Sequence, residues 1–278
     1  MMKYALITGF TIFSALSWSA IVEAQDILSL LKAKTVSEQV NVPPAIFPYK
    51  YVVDYVSNQK QGDDVSHFSA RYQVDPNAEP GSRVTILKSS GDAENDNEDF
   101  NSTLQELENI ETTKEDIASE LWCNDDDRDD AKDKEKQLKL IQLIEDGRIK
   151  IESETDQNAV LEMSLKDVID IFGDDLDLGE IEGGESSGAI KKIIKRMKLQ
   201  MHLTKPDVRL SKMRIWLNKP MRIMIVARIK EMDMTMSCDL APNGYYYRSR
   251  QNLMMEMSAL GSKFNTDSSQ TIIELIPN

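Results

Sequence analysis

The stretch Glu231–Asp239, "EMDMTMSCD", has a sulfur-bearing side chain at every second position, and the residues between them are acidic or carry a hydroxyl. Successive side chains of a β-strand point to opposite faces of its sheet. The stretch therefore predicts a strand with one face of Met and Cys and one polar face. A fold that contains this strand must cover its apolar face and leave the other in water.

The same alternation recurs on both sides of this stretch. In "KRMKLQMHL", Met197 and Leu199 alternate with charged and amide residues, and "VRLSKMRIWL" repeats the pattern. "APNGYYY" contains Asn243-Gly244, a strong signal for a tight hairpin. Nearer the start, "SHFSARYQV" and "RVTILK" also have strand patterns, with a Pro- and Gly-rich turn between them. These segments predict an antiparallel meander.

We predict an α+β fold that is mainly β. Its core is a single strongly curved antiparallel sheet, half-open and barrel-like, of about nine to eleven strands, with one or two helices covering its concave side. The predicted parts are an N-terminal helix and Pro-rich linker at 25–48 and the β domain at 49–278. Within that domain we expect an acidic helical insertion at 89–147 and a flexible Gly- and acid-rich insertion at 173–188.

The first residues carry a targeting signal. Lys3 precedes an apolar run from Ala5 to Val22, and small residues follow at the positions that a signal peptidase recognises. We expect a signal peptide at 1–24, cleaved after Ala24, and a periplasmic or secreted mature chain without a transmembrane span. A retained membrane anchor is the alternative, but no basic stop-transfer cluster follows the run.

The charge is strongly negative and unevenly distributed. The formal net charge of -14 disfavours nonspecific binding to nucleic acid. From Gly91 to Asp130 there are sixteen acidic residues and two basic ones, whereas Gly188 to Lys230 has thirteen basic residues and one acid. The two blocks attract each other, or the basic block faces an anionic partner. The candidates for contact with anionic lipid head groups are Lys191, Lys192, Lys195 and Arg196.

The chain has two cysteines, Cys123 and Cys238. In an oxidising compartment such a pair favours a disulfide. The alternative is a buried free thiol in the methionine row, and spacing alone does not decide between the two.

The methionine row has three interpretations, because eleven of the fourteen Met lie between Met197 and Met257. Thioethers are soft ligands that select Cu(I), but no His accompanies them. They also serve as ordinary core residues, or as a pliable surface for an acyl chain or a hydrophobic partner segment. We expect no metal and no cofactor. The residues predicted to line the apolar face are Met197, Leu199, Met201, Met213, Ile215, Met232, Met234, Met236, Met255 and Met257.

Motifs for catalysis and for metal binding do not fit. The two histidines, His67 and His202, lie on the polar side of their strands, without a nucleophile motif. An acidic run from Asp125 resembles a calcium loop at its first positions. It has Asp130 where such a loop needs Gly, and Lys136 where it needs a bidentate acid. Weak calcium binding by these acids stays open.

The early helix, the "SHFSARYQV…SRVTIL" strand pair, the central helical insertion and the closing meander resemble the lipoprotein-carrier family of bacterial envelope proteins (LolA/LolB-like). The similarity extends over roughly Tyr49 to Ile276 and is one of architecture. It implies a half-open barrel whose concave apolar face, lidded by helices, holds acyl chains, and it implies no catalytic residue.

The sequence thus favours a non-enzymatic exported protein that binds lipid or the acyl chains of a lipoprotein. Two alternatives remain. One is an envelope structural or protein-interaction module with a solid core and no ligand. The other is a hydrolase that uses acidic residues.

Overall fold

The computed structural model describes residues 26–36, 43–91, 98–123, 130–172, 193–205, 207–224 and 227–278. The predicted signal peptide at 1–24, the predicted insertion at 173–188, the acidic run at 124–129, and Lys191 and Lys192 lie outside these residues. The elements are α1 (Ile27–Val36), β1 (Tyr49–Gln61), β2 (Asp64–Val74), β3 (Val84–Gly91), α2 (Glu98–Glu108), α3 (Lys114–Leu121), α4 (Asp130–Glu145), β4 (Lys150–Glu154), β5 (Asn158–Ser164), α5 (Leu165–Phe172), β6 (Met197–Thr204), β7 (Arg209–Leu217), β8 (Met221–Met224), β9 (Ala227–Leu240), β10 (Tyr246–Ala259) and β11 (Ser262–Pro277).

All eleven of these strands form one antiparallel sheet. Their order is β3-β2-β1-β11-β10-β9-β7-β6-β5-β4, and β8 pairs with β9 beside this path. The sheet does not close into a barrel, so β3 and β4 are its edges. The predicted mainly β fold with a single antiparallel sheet is confirmed.

Some boundaries differ from the sequence-based expectations. Ser89 to Gly91, predicted to begin the acidic helical insertion, are instead the last residues of β3, because they pair with Phe68 to Ala70 of β2. The apolar segment before the methionine row is a separate short strand, β8, that folds back on β9. Helix α5 was not predicted. Its eight residues follow β5 directly, and Ser164 at the end of β5 caps the helix by accepting a hydrogen bond from the N–H of Asp167.

Helices cover one face of the sheet, which we call the inner face. Helices α1 and α4 pack with β5 and β6 in the first core cluster, and α2 and α3 pack with β1 and β2 in the second. Each cluster matches the apolar spacing of its helices to the alternating residues of its strands. The cover is therefore two helix pairs, where the sequence indicated one or two helices.

A third cluster lies where β6, β7, β8 and β9 come together. It contains Met197, Leu217, Met221 and Ile229, and Leu165 and Ile193 pack against it. The apolar inner face is thus buried in three places, two at its sides and one near the start of β9.

A disulfide joins Cys123, just after α3, to Cys238 on β9, with an S–S distance of 2.15 Å. The same junction has a backbone hydrogen bond from Cys123 to Tyr246 and a bridge between Trp122 and Tyr247. Trp122 also donates its indole N–H to the carbonyl of Pro44, at 3.0 Å. These contacts fix the end of α3 to β9 and β10.

Removal of this disulfide is expected to destabilise the protein. The cysteines are separated by 115 residues, and a crosslink that closes so long a loop stabilises a fold by about 4–5 kcal/mol in the chain-entropy model. The double variant Cys123→Ser/Cys238→Ser should unfold at a much lower urea concentration than the oxidised wild-type protein. Dithiothreitol should shift the wild-type midpoint toward that of the variant and leave the variant unchanged. Equal midpoints for wild type and variant would contradict the expectation.

Candidate functional site

Register pairing places the predicted apolar residues in rows across the inner face. One row runs from Leu199 through Ile215 and Met234 to Leu253, and a second runs from Met201 through Met213 to Met236. A third row pairs Met232 with Met255. Residues that pair directly across antiparallel strands point to the same face. The methionine row is therefore one part of an apolar area that crosses four strands.

The opposite, outer face of the same strands is charged and internally paired. Lys198 bonds to Glu162, Arg214 to Asp233 and Lys230 to Glu256. The guanidinium of Arg214 also lies over the ring of Trp216, 5.1 Å from its centre. Because these side chains satisfy one another, the outer face needs no cover. In the strands that carry the methionines, the inner face is apolar and the outer face is mostly charged or polar, with Met254 and Trp216 as exceptions.

The ten predicted lining residues share the inner face but differ in burial. Met197 and Leu199 are core residues, only 6% and 3% exposed. Met201, Met213 and Ile215 pack against the first cluster. The more open part lies on β9 and β10, and we call it the methionine surface. It consists of Met232, Met234, Met236, Leu253, Met255 and Met257.

The methionine surface is apolar yet only partly buried. Met234 at its centre is 37% exposed, although its cross-strand neighbours are Ile215 and Leu253. None of its six residues is a buried member of the three clusters. The fourth sulfur of the row, Cys238, is in a disulfide and supplies no thiolate to a metal. The arrangement suits an apolar contact better than a soft-metal site.

Hydrogen bonds hold the end of α2 against the turn before β3, at one edge of the sheet. The carboxylate of Glu108 accepts hydrogen bonds from the backbone N–H groups of Gly81, Arg83 and Val84, at 2.5, 3.2 and 2.7 Å. The Arg83 side chain, from a residue only 4% exposed, donates to the carbonyls of Leu107 and Asn109 at the end of α2. The turn before β3 and the end of α2 therefore hold each other in place.

A cavity of about 200 Å³ lies between the sheet and helices α2 and α3. Its helix side includes Glu106 from α2 and Glu120 from α3. Its sheet side is formed by β1, β10 and β11, with Tyr51, Arg248, Gln251 and Gln270. Burial raises the pKa of Tyr51, which keeps that phenol neutral. The cavity wall mixes polar and apolar side chains, whereas the methionine surface is apolar throughout.

Arg248 is the unusual residue of this cavity. Its Nε is buried without a hydrogen-bond partner, and no carboxylate of the described chain forms an ion pair with its guanidinium. Burial lowers the pKa of Arg248, and the nearby charge of Glu120 opposes that shift. Burial also raises the pKa of Glu120, and Glu106 adds to the effect by repulsion.

Arg248 is not among the basic residues that the sequence indicated as candidates for contact with anionic head groups. Lys195 and Arg196 are exposed, and Arg196 donates to the carbonyl of Pro220 at 3.0 Å; neither lines the cavity. Arg248 points inward because the register between β9 and β10 shifts between Arg248 and Arg250. Simple alternation from Leu253 and Gln251 would place Ser249, and not Arg248, on the inner face.

Comparisons with protein-family models, curated proteins and solved structures found no match. Within the residues that the structure covers, no group of three His, Cys, Asp or Glu side chains is arranged to hold a metal ion. No helix in the same part of the chain is long and apolar enough to cross a membrane. His67 contacts Asn58 and His202 contacts Gln200.

The outer-face pairing gives a pH-dependent prediction. The hydrogen bond from Lys198 holds the pKa of Glu162 below its ordinary value of 4.5. A carboxylate with a lowered folded-state pKa adds stability above the unfolded-state pKa and loses it as the pH falls through the folded-state pKa. Glu162→Gln should therefore lower the free energy of unfolding by roughly 1 kcal/mol at neutral pH.

The same difference should shrink as the pH falls below 4.5, and urea titrations at several pH values measure it. Glu274→Gln, at an exposed position on β11, is the matched control and should have little effect at any pH. A wild-type-to-Glu162→Gln difference that is constant from neutral to acid pH would refute the assignment.

Proposed function

We propose that this protein is an exported, non-enzymatic binding protein that holds an acyl chain on its methionine surface. The observation that carries the proposal is the exposure of Met234, at 37%, in the middle of an apolar area flanked by helix-covered core. When a ligand covers partly exposed apolar surface of this kind, the removal of that surface from water lowers the free energy and favours binding. The predicted signal peptide and the resemblance to lipoprotein carriers support an envelope location.

The dimensions of the surface support a single acyl chain as the occupant. Leu253, Met255 and Met257 lie at every second position of β10. The distance along the strand from Leu253 to Met257, four steps of one residue each, is about 14 Å. One leaflet of a bilayer's hydrocarbon core is about 15 Å thick, which is the length that one acyl chain spans. The surface therefore has the length of a chain and the width of the two strands β9 and β10.

The chemistry of the surface also supports a flexible occupant. Five of its six residues are Met, whose unbranched side chain adapts to irregular shapes. A surface of Met therefore follows the outline of different chains without a cost in rotamer strain. Among the described residues the two histidines make local contacts with Asn58 and Gln200, away from the methionine surface, so we propose binding and no reaction.

The structure offers a matched pair of methionines to test this proposal. Met234 on the inner face and Met254 on the outer face are 37% and 39% exposed. Met234→Gln should weaken the binding of a long-chain fluorescent fatty acid roughly tenfold, or about 1.4 kcal/mol, because a polar amide replaces an apolar contact. Met254→Gln should leave the dissociation constant unchanged. Fluorescence titration of delipidated protein measures both.

Equal loss of affinity in the two variants would show that the chain does not lie on the methionine surface. Wild-type protein that binds no fatty acid at all would refute the proposed function and leave the interaction module as the better hypothesis. Circular dichroism and urea midpoints confirm that both variants are folded before they are compared.

A further inference from the structure

The cavity and the methionine surface are adjacent along β10. Gln251 lines the cavity, and its register partner on β9 is Met236. Leu253, two residues further along β10, begins the methionine surface about 7 Å away. A molecule with a polar end in the cavity would therefore meet the apolar surface immediately.

The sheet side of the cavity carries two guanidinium groups, those of Arg248 and of the exposed Arg250. A guanidinium stays charged at any ordinary pH and presents a fork of N–H donors that matches the oxygens of a carboxylate or phosphate. Arg248 holds this group in the cavity wall with its Nε buried and unbonded among the described residues. A buried donor without a partner is unfavourable, so the guanidinium gains hydrogen bonds if it turns toward an oxyanion in the cavity.

The size of the cavity limits the group that enters. A water molecule takes about 30 Å³ in the liquid, so a cavity of about 200 Å³ has room for a small polar head group and not for a drug-sized molecule. Thr103, Thr112, Gln251 and Gln270 add hydrogen-bonding groups around it. The acyl chain of such a ligand has to lie outside the cavity.

The acids of the cavity restrict the charge of the head group. Glu106 and Glu120 face it from α2 and α3, and their repulsion is part of why the pKa of Glu120 is raised. A dianionic phosphate monoester would be repelled by both carboxylates. A single negative charge, as in a carboxylate or a phosphodiester, is repelled less and pairs with the guanidinium of Arg248.

We propose that Arg248 binds the monoanionic oxyanion of an amphiphile whose acyl chain lies on the methionine surface. The inference rests on the proposed function and deepens it, because it assigns the class of ligand: single-charged acyl lipids with a carboxylate or phosphodiester next to the chain. Arg248 contacts the head group directly, and Gln251 lies at the junction between head group and chain.

A pair of probes separates the head-group site from the acyl surface. A long-chain fluorescent fatty acid and its methyl ester have the same chain, but only the acid carries a charge. Wild-type protein should bind the acid at least about tenfold more tightly than the ester. Arg248→Gln should reduce that ratio to about one and leave ester binding unchanged, which also shows that the variant is folded.

Two further variants serve as controls. Arg228→Gln removes one exposed positive charge at the start of β9 and should keep the wild-type ratio of acid to ester. Glu120→Gln removes a repelling carboxylate and should strengthen binding of the acid. If Arg248 served only as a partner for Glu120, Glu120→Gln and Arg248→Gln would lower the urea midpoint alike and leave the ratio unchanged, which would overturn the proposal.

The remaining outcomes separate this inference from the proposed function. Acid and ester bound equally by wild-type protein would overturn the head-group site and leave the acyl surface standing. If the wild-type protein binds neither the acid nor the ester, both the head-group site and the acyl surface are overturned. Displacement of the ester probe by fatty acid and by a single-chain phosphodiester lipid identifies the natural head group. The natural head group is that of the lipid whose affinity falls more when Arg248 is replaced by Gln. If the affinity of neither lipid falls, the inference is overturned.

Discussion

The alternation of side chains along paired strands determines the architecture of this protein. Strands β6, β7, β9 and β10 place most of their apolar residues on one face, and the register between strands aligns them into rows such as Leu199, Ile215, Met234 and Leu253. A shift by one residue would move a whole strand's apolar set into water. The outer-face ion pairs Lys198–Glu162 and Arg214–Asp233 reinforce the same register from the other side.

The cover of the inner face follows from where the helices are anchored. Helices α1 and α4 are packed on β5 and β6, and α2 is held at the far side of the sheet by Glu108 and Arg83. The disulfide then fixes the end of α3 to β9. With both helix pairs anchored toward the sides, the middle strands β9 and β10 retain a partly exposed apolar surface. Proposed ligand binding is a consequence of this division between covered and open sheet.

The sequence allowed the broad fold to be predicted, because period-two alternation is a local property. Met213 and Ile215 alternate with Lys212 and Arg214 in any register, so the two faces of β7 could be assigned without a structure. The insertion at 89–147, which contains Phe100 and Ile117, was predicted to be helical from its apolar spacing for the same reason. Both side chains are buried against the sheet.

Features that depend on pairing between distant strands could not be predicted in this way. The bulge between Arg248 and Arg250 depends on how β10 pairs with β9, and no pattern of residues within β10 predicts it. The inward orientation of Arg248 was therefore not predicted. Lys195 and Arg196, which were predicted from the basic block of the sequence, are exposed. The disulfide was favoured from the presence of two cysteines, and the proximity of α3 to β9 confirms it over the free thiol.

Oxidation of the methionines by dilute peroxide, read by mass spectrometry, tests most directly whether the open thioether surface holds the ligand. Met234 and Met254 are exposed to a similar degree, 37% and 39%, on opposite faces of the sheet, so both should form sulfoxide at similar rates in delipidated protein. With a saturating long-chain fatty acid, we expect Met234 to become strongly protected and Met254 to oxidise as before. Unchanged oxidation of Met234, or equal protection of both residues, would contradict an acyl-binding inner face.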